Sequence, residues 1–405
     1  MTSGTLVVVG GGLAAARAVE AMTDAGGDAH VVVVSEERDL PYDRPPLSKA
    51  VLAGTEESAE LHPREWYAER GVELRLGVRA ETLDPTAHTL GLADGTVLAW
   101  DRLLLATGSS VRRLEVPGAD LANVLYLRTR AQSQALRDRL RLGGPVAIVG
   151  AGWIGLEVAA AARGHGCEVT MVEPQETPLQ TVLGAEVGQY FRDLHARHGV
   201  RFRLGEGVRR LLGETAVTGL VTTSGDEIVA DTVVVGVGIT PNTRLAEDAG
   251  LLVDDGIVCD QAMRTSSPDI FAAGDVATWY NPLLRQRVRV DHWDNAREGG
   301  HLAGRAMVGD DVSYGALPYF FSDQYDVGLE YVGHVPRGTR TSVVLRGEPA
   351  DDRFMAFWLS DDRVVAGMHV NQWETIDDLR VLVRERTVVD PRALAMVDRP
   401  LVETT

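Results

Sequence analysis

The sequence predicts an α/β protein with two doubly wound parallel sheets and a separate C-terminal α+β domain. Two similar repeats and a change of pattern near Pro318 lead to this prediction. Each repeat, at residues 5–37 and 146–173, is a short apolar strand, a glycine turn, an alanine-rich stretch, a second apolar strand and an acidic residue. A strand, a helix and a strand in this order form a parallel sheet.

Further apolar runs predict the remaining strands. Three of them end in a glycine turn and extend the parallel sheets, at residues 103–105, 233–235 and 270–272. After Pro318, three runs predict antiparallel strands at residues 341–345, 354–359 and 364–370. A helix is expected to follow over about residues 373–386.

Length, composition and charge exclude several classes of protein. At 405 residues the chain can form two or three domains, and 45% hydrophobic with 24% charged residues is ordinary for a globular protein. It contains no signal-like segment and no run of about 18 uncharged apolar residues, so we expect a cytoplasmic protein without a membrane span. The net charge of −18 argues against nucleic acid as a partner, because phosphate binding needs a basic face.

The cysteines and the single lysine are informative. Cys167 and Cys259 each stand alone in an apolar run, which predicts small buried side chains. Without a CxxC pair, the sequence encodes neither a metal site of the zinc type nor a redox disulfide. Of 40 basic residues, 39 are arginine, and Lys49 is the only lysine. A flexible ammonium there can act where a planar guanidinium cannot, although chance survival of one codon is the alternative.

The first glycine turn has the features of a dinucleotide-binding motif. Gly10 makes the tight turn after the strand, Gly12 lets the backbone approach a pyrophosphate, and Ala15 takes the third small position. The helix that begins here presents free N–H groups and a positive dipole end to the phosphates. Glu36 follows Gly12 by 24 residues, near the spacing expected for a carboxylate that accepts hydrogen bonds from a ribose.

The second turn repeats this arrangement with Gly150, Gly152, Gly155 and Glu173. Ordinary glycine-rich turns are the alternative interpretation, and the repetition of the motif weakens it. A carboxylate at Glu173 accepts the 2′-hydroxyl of NAD and repels the 2′-phosphate of NADP. Since residues 174–178 contain no arginine to hold that phosphate, we expect NADH to be preferred.

The run Pro-Tyr-Asp-Arg-Pro-Pro-Leu-Ser-Lys at residues 41–49 is highly specific. It resembles the FAD-dependent, NADH-using ferredoxin reductases of bacterial oxygenase systems and, more distantly, apoptosis-inducing factor. The resemblance covers nearly the whole chain and continues at residues 106–108, 150–157, 236–242, 273–275 and 321–325. It implies a glutathione-reductase-like fold. The expected parts are an FAD-binding domain at 1–117 and 241–313, an NADH-binding domain at 118–240 and a C-terminal α+β domain at 314–405.

The resemblance also assigns roles to matching positions. Glu36 would contact the adenosine ribose, Arg44 the pyrophosphate and Asp275 the ribityl chain of FAD, while the backbone at Trp293 would face the flavin pyrimidine edge. The other positions implied to contact FAD or NADH are Gly10, Gly12, Leu13, Ala14, Ala15, Glu37, Ala80, Thr107, Gly108, Arg128, Gly150, Gly152, Ile154, Gly155, Glu173 and Gly238. Trp153, inside the second turn, departs from the family pattern.

Lys49 and Glu157 are the candidate catalytic residues. The resemblance places Lys49 beside the reactive flavin nitrogen and makes Glu157 its partner. An opposite charge would keep a partly buried lysine protonated. A protonated Lys49 could then stabilise the negative charge that develops on the flavin as a hydride arrives. A purely structural ion pair is the alternative, and the two interpretations are compatible.

The resemblance implies that NADH reduces FAD and that single electrons pass to an iron–sulfur ferredoxin serving a mono- or dioxygenase. The protein would be a monomer or a homodimer. Two alternatives stay open: another NADH-dependent flavoenzyme, such as an oxidase or a rubredoxin or nitrite reductase component, and a slow-turnover redox sensor. Disulfide and peroxide reductases of this fold are disfavoured, because residues 39–49 contain no cysteine.

An acidic ferredoxin would need a basic docking patch on this acidic chain. Residues 276–309 have a local charge balance of +2 and include Trp293. Arg285, Arg287 and Arg289 alternate there, so they would share one face if the stretch is extended. A solvated edge strand whose charges only oppose aggregation is an equally good interpretation.

Overall fold

The computed structural model of the chain describes residues 4–57, 59–336, 338–386 and 388–401. They form two compact units, each assembled from segments that are distant in sequence. The first unit comprises Met1–Asp43, Ala59–Ser110 and Thr240–Tyr319, and the second comprises Arg44–Ser58, Val111–Ile239 and Phe320–Thr405. The chain passes from one unit to the other five times, and two of these passages lie within the short strands Ser109–Val111 and Ile239–Pro241.

The first unit is built on a parallel sheet of five strands. Across the sheet they follow the order Ile270–Ala272, Arg102–Leu105, Gly4–Val9, Ala29–Ser35 and Glu73–Leu76. Val7 and Val8, in one central strand, and Val32 and Val33, in the next, are at most 2% exposed. Burial of successive residues is typical of a parallel sheet covered on both faces, which is why these strands are continuous apolar runs in the sequence.

Two helices of this unit pack against each other through glycine. Leu13–Asp24 follows the first glycine turn and contacts Trp293–Met307. A Cβ atom at Gly300 would lie 2.3 Å from the carbonyl oxygen of Ala14. The two backbones therefore approach as closely as atoms allow, and a larger side chain would push the helices apart.

Smaller elements complete the first unit. One three-stranded sheet contains Ala80–Asp84, Thr89–Leu92 and Val97–Ala99, and another contains Ile257–Cys259, Ala277–Asn281 and Gln286–Val288. The short helices are Arg64–Glu69, Arg244–Asp248 and the 3₁₀ turn Gly274–Val276.

The stretch with the alternating arginines is extended only in part. Gln286–Val288 forms a strand, but Arg285 before it has a left-handed backbone with φ of 54°. The Arg289 side chain is only 10% exposed and pairs with Asp255 at 3.4 Å and with Asp291. The sequence placed the three arginines on one face if the stretch is extended, and that condition is met only in part. Carboxylates of the same unit hold the Arg289 guanidinium, so Arg289 does not belong to an exposed basic patch.

The second unit contains another parallel sheet of five strands. Their order is Arg201–Leu204, Glu168–Glu173, Pro145–Val149, Thr232–Val235 and Val124–Leu125. A three-stranded antiparallel sheet contains Val208–Gly213, Val217–Thr222 and Glu227–Val229. The helical segments are Pro45–Ser48, Ala50–Ala53, Arg130–Arg141, Trp153–Gly164 and Gln180–Arg197.

The C-terminal part is an α+β structure. Its sheet has the order Tyr319–Gln324, Val327–Gly333, Arg363–Val370, Arg353–Ser360 and Ser342–Glu348. Its helical segments are Pro349–Asp351, Ile376–Glu385 and Pro391–Ala395. The three predicted strands are confirmed. The strands Tyr319–Gln324 and Val327–Gly333 were not predicted. In Tyr319–Gln324 the buried residues Ser322 and Gln324 are polar, so the strand lacks the usual alternation of apolar and polar residues.

The fold class predicted from the sequence is confirmed, since both parallel sheets and the C-terminal α+β structure are present. Both repeats have the predicted order of strand, glycine turn, helix and strand. Among the described residues, no helix has the length and apolarity required to cross a membrane. The assignment of domains to individual cofactors stays a prediction.

We predict that Gly304→Ala lowers the free energy of unfolding by about 1–3 kcal/mol, because overpacking must separate the helices. A Cβ atom at Gly304 would lie 2.4 Å from the carbonyl oxygen of Ala18. Gly164 is the matched control, since a Cβ atom there meets nothing within 4 Å. Gly164→Ala should be neutral or stabilise the helix by up to about 1 kcal/mol. Urea unfolding followed by circular dichroism measures both, and equal stability of the two variants would contradict the packing argument.

Candidate functional site

The first glycine turn leaves an open backbone at the start of a helix. Gly10 has φ of +130°, and a Cβ atom there would lie 2.1 Å from the carbonyl oxygen of Ala106, so only glycine fits. A Cβ atom at Gly12 would meet nothing within 4 Å, and no side chain caps the helix Leu13–Asp24. The free N–H groups at this end, which include those of Leu13 and Ala14, fit a pyrophosphate group.

Four other predicted FAD contacts follow the carboxyl ends of strands in the parallel sheet of the first unit. Glu36 is exposed directly after Ala29–Ser35, and Glu37 accepts a hydrogen bond from the Tyr42 hydroxyl at 2.6 Å. Thr107 donates to the backbone oxygen of Asn242 at 2.9 Å. Gly108, which follows Thr107, has a φ of +64°.

Three predicted contacts lie elsewhere in the first unit. Asp275 is half-buried in the 3₁₀ turn Gly274–Val276. Trp293 begins a long helix, and its indole Nε1 donates to Asp43 Oδ1 at 2.7 Å. Ala80 is the first residue of a strand of the small antiparallel sheet. Ala15 is fully buried in the helix that follows the first turn, as expected for its small position.

The second glycine turn, in the second unit, has the same construction. Gly150 has φ of +101°, and a Cβ atom at Gly155 would lie 2.1 Å from the carbonyl oxygen of Gly150. A Cβ atom at Gly152 would meet nothing within 4 Å, so the backbone is open to a second pyrophosphate. Ile154, in the first turn of the helix, is 44% exposed. Trp153 does not fill the turn, because its ring packs against aromatic rings at 4.9 and 5.9 Å.

Glu173 ends the strand that follows this turn. Its Oε2 accepts the backbone N–H of Ala151 at 2.7 Å, and its Oε1 accepts that of Gln175 at 2.9 Å. These bonds orient the carboxylate beside the glycine turn and leave lone pairs for further donors. A ribose diol can supply two such donors, whereas a 2′-phosphate removes one of them and places negative charge beside the carboxylate.

Arg44 and Arg128 meet in the second unit. Arg44 Nη1 donates to the backbone oxygen of Arg128 at 2.6 Å. Arg128 lies directly before Thr129, which caps the helix Arg130–Arg141 with a capping box. Gly238 has φ of +102°, and its carbonyl oxygen accepts the N–H of Arg112 at 2.9 Å.

The structure also brings Lys49 and Glu157 together. Lys49 Nζ lies 2.8 Å from Glu157 Oε1, and the two side chains are 19% and 4% exposed. Ser48 donates to Glu157 Oε2 at 2.5 Å, and Ser322 donates to Oε1 at 2.6 Å. The Lys49 ammonium lies 5.7 Å from the centre of the Phe321 ring. One buried carboxylate therefore has an ammonium and two hydroxyl donors.

Sequence reasoning missed the two serines and Asp323. Ser48 and Ser322 occur in stretches that carry the family resemblance, but the partner of a hydroxyl group depends on tertiary structure. Desolvation raises the pKa of the Asp323 carboxyl; the Lys49 ammonium opposes this shift and the Glu157 carboxylate adds to it. Asp323 is thus a third ionisable group near the pair.

Both cysteines are buried and free. Burial raises the pKa of the Cys167 thiol, although Arg163 opposes the shift, and burial also raises the pKa of Cys259. Neither thiol has the exposed, low-pKa character of a reactive cysteine. The prediction of small buried side chains is confirmed.

Comparison with known proteins identifies the family. The model of the pyridine nucleotide-disulphide oxidoreductase family matches residues 4–300, and the model described as reductase C-terminal matches residues 319–405. The chain is 41% identical to the ferredoxin–NAD(+) reductase component of the anthranilate 1,2-dioxygenase system of Burkholderia cepacia, over 98% of each chain. It is 34% identical to putidaredoxin reductase of Pseudomonas putida, over 98% of this chain and 96% of that protein.

The fold comparison agrees with these matches. The chain resembles one in the crystal structure of a covalent putidaredoxin reductase–putidaredoxin complex with a TM-score of 0.95 and 32% identity. This match covers 100% of the present chain and 98% of the other. The resemblance inferred from residues 41–49 is confirmed, and the chain belongs to the pyridine nucleotide-disulphide oxidoreductase family.

Proposed function

We propose that this protein is an NADH:ferredoxin oxidoreductase that uses FAD and delivers electrons to a small iron–sulfur ferredoxin of an oxygenase system. The observation that carries the proposal is the buried Lys49–Glu157 pair, in which Glu157 lies on the helix that begins at the second glycine turn. The name of the Burkholderia cepacia relative, which matches over 98% of each chain, supports the ferredoxin and the oxygenase. The cytoplasmic location, and a monomer or homodimer as the oligomeric state, stay predictions.

Each glycine turn would hold one dinucleotide. In the first unit, the turn Gly10–Gly12 would bind the FAD pyrophosphate, with Glu36 on the ribose and Asp275 on the ribityl chain. Gly152 and Glu173 would hold the pyrophosphate and the adenosine ribose of NADH in the same way. When bound, FAD converts a two-electron donor into one-electron steps, which an iron–sulfur acceptor requires.

Lys49 supplies positive charge, and Glu157 determines where that charge lies. The ammonium has one carboxylate partner at 2.8 Å and is 19% exposed, so it retains donors for another group. A fixed ammonium lowers a barrier when the negative charge beside it is larger in the transition state than in the ground state. Its contribution should therefore appear in the rate of reduction rather than in binding.

We predict that Lys49→Met lowers the limiting rate of flavin reduction by about 10²-fold or more, with a much smaller effect on the dissociation constant of NADH. Stopped-flow reduction at saturating NADH measures both quantities. Arg137→Met is the matched control, because it removes a similarly buried cation that pairs with Glu57. An unchanged limiting rate in Lys49→Met would leave Lys49 as a structural partner only.

Cofactor preference tests the role of Glu173. We predict that NADH is preferred over NADPH by at least about tenfold in kcat/KM, roughly 1.4 kcal/mol of transition-state binding. Glu173→Arg should narrow or reverse this preference, since it replaces a repelling carboxylate by a phosphate-binding cation. Glu173→Gln keeps an oxygen that accepts the Ala151 N–H, and it should narrow the preference for NADH less than Glu173→Arg does. Equal wild-type rates with both cofactors would contradict the assignment.

Reduction of purified ferredoxins from the source organism tests the proposed function directly. We expect rapid NADH-dependent reduction of at least one of them, falling as salt screens the charges. Slow turnover with every ferredoxin, together with long-lived charge-transfer absorbance, would instead favour a redox sensor.

The docking patch is tested separately. Arg285 and Arg287 are exposed and remain candidates. Arg285→Glu or Arg287→Glu should raise the KM for ferredoxin and leave NADH–ferricyanide activity nearly unchanged. Arg289→Glu is unsuitable as a docking probe, because it would break the pairs with Asp255 and Asp291. Normal ferredoxin kinetics in both exposed variants would place docking elsewhere.

A further inference from the structure

A row of three buried polar side chains, Ser322, Gln324 and His195, continues from Glu157. Ser322 donates to Glu157 Oε1 at 2.6 Å, and Gln324 Nε2 donates to Ser322 Oγ at 3.2 Å. His195 Nε2 lies 2.8 Å from Gln324 Oε1. The three added side chains are at most 2% exposed. Polar groups buried this deeply need partners, and here each member supplies one to the next.

The carboxylate determines the direction of every bond in this row. An ionised Glu157 only accepts, so the single hydroxyl hydrogen of Ser322 goes to it, and Ser322 Oγ accepts from Gln324. The amide nitrogen of Gln324 therefore faces Ser322, and its oxygen faces His195. It follows that His195 carries its hydrogen on Nε2. Its Nδ1 is left to accept from the Tyr325 hydroxyl, at 3.2 Å.

The ionisation states of His195 and Tyr325 agree with this direction of the hydrogen bonds. Burial lowers the pKa of His195 to about 4, while the bond to Gln324 opposes the shift and His198 adds to it. The imidazole is therefore neutral near pH 7 and carries one hydrogen. Burial raises the pKa of Tyr325, so its hydroxyl keeps the hydrogen that it donates. The Tyr325 ring also stacks on His198, with ring centres 3.6 Å apart.

We propose that Ser322, Gln324 and His195 are positioning residues for the Lys49–Glu157 pair. Their hydrogen bonds, all donated toward Glu157, hold its carboxylate in the orientation that places the Lys49 ammonium. The proposal rests on the proposed function, in which that ammonium stabilises charge during flavin reduction. None of the three residues needs to touch a cofactor, because each acts through the carboxylate.

The row joins separate elements of the second unit. His195 lies on Gln180–Arg197, and Ser322 and Gln324 lie on Tyr319–Gln324. Loss of the Ser322 hydroxyl leaves Glu157 Oε1 with Lys49 alone, while Ser48 still holds Oε2. With one fixed donor fewer, the carboxylate can rotate further about its terminal bond, since that torsion has a broad energy minimum. The Lys49 ammonium then moves with the carboxylate. A substitution at Ser322 therefore changes the reaction rate although Ser322 does not contact the reacting groups.

Four variants of the FAD-loaded protein test this. Ser322→Ala removes the direct donor, and Gln324→Met removes the amide at nearly constant volume. Ser322→Thr keeps the hydroxyl and is the conservative rescue. Thr222→Val is the matched control, because Thr222 is another fully buried hydroxyl of the second unit, bonded to Ser224 at 2.7 Å.

Stopped-flow reduction at saturating NADH is the first measurement. We expect Ser322→Ala to lower the limiting rate roughly fivefold or more, the factor for one lost hydrogen bond, and to change the NADH dissociation constant less than about twofold. Gln324→Met should lower the rate less, and Ser322→Thr should restore most of it. Thr222→Val should leave the rate unchanged. Lowered thermal stability with an unchanged limiting rate in Ser322→Ala would overturn the proposal.

The hydrogen on His195 gives a readout that needs no FAD and no turnover. Long-range ¹H–¹⁵N spectra of histidine-labelled protein, assigned with His195→Gln, should show the Nε2–H form from pH 8 to about pH 5. In Gln324→Met, the Nε2–H form of His195 should no longer predominate over the Nδ1–H form. A dominant Nδ1–H form in the wild type would overturn the proposed direction. If wild-type protein shows the Nε2–H form but no flavin reduction by NADH, the proposed function fails and the hydrogen-bond geometry stands.

Discussion

Burial of the Glu157 carboxylate is the constraint on which the candidate site depends. An ionised carboxylate that is 4% exposed is costly unless it is paired and fully hydrogen-bonded. Its donors are Ser48, Lys49 and Ser322, which come from two segments more than 250 residues apart in sequence. The position of Lys49 is therefore a consequence of folding the whole second unit. This explains how a flexible side chain can hold a charge in one place.

The same unit shows how buried polar residues can be satisfied without a second charge. Beyond Ser322, the row consists of neutral groups, and burial keeps His195 neutral by lowering its pKa to about 4. A neutral row orients the carboxylate without neutralising it, so among the described residues bonded to Glu157 the compensating charge is the Lys49 ammonium. A row that ended in a second cation would compete with Lys49 for the carboxylate.

Close approach of backbone segments at glycine recurs in several parts of the structure. At both glycine turns, a tight glycine lies where any Cβ atom would collide with a carbonyl oxygen, and the glycine two residues later opens onto free space. The first condition makes the turn, and the second admits a phosphate group to the helix N-terminus. Outside the turns, Gly300 and Gly304 allow Trp293–Met307 to lie directly on the helix that follows the first turn.

The sequence predicted the two βαβ repeats and both glycine turns, and the family resemblance implied the pairing of Lys49 with Glu157. Apolar runs and glycine spacing are local signals, and the lysine is recognisable because the chain has no other. The tertiary structure alone gives the partners of hydroxyl and amide groups, including Ser48, Ser322 and Gln324. It also decided that Arg289 is held by carboxylates. The physical reason is that hydrogen bonds and ion pairs act over a few ångströms, so their partners depend on which distant segments the packed backbone brings into contact.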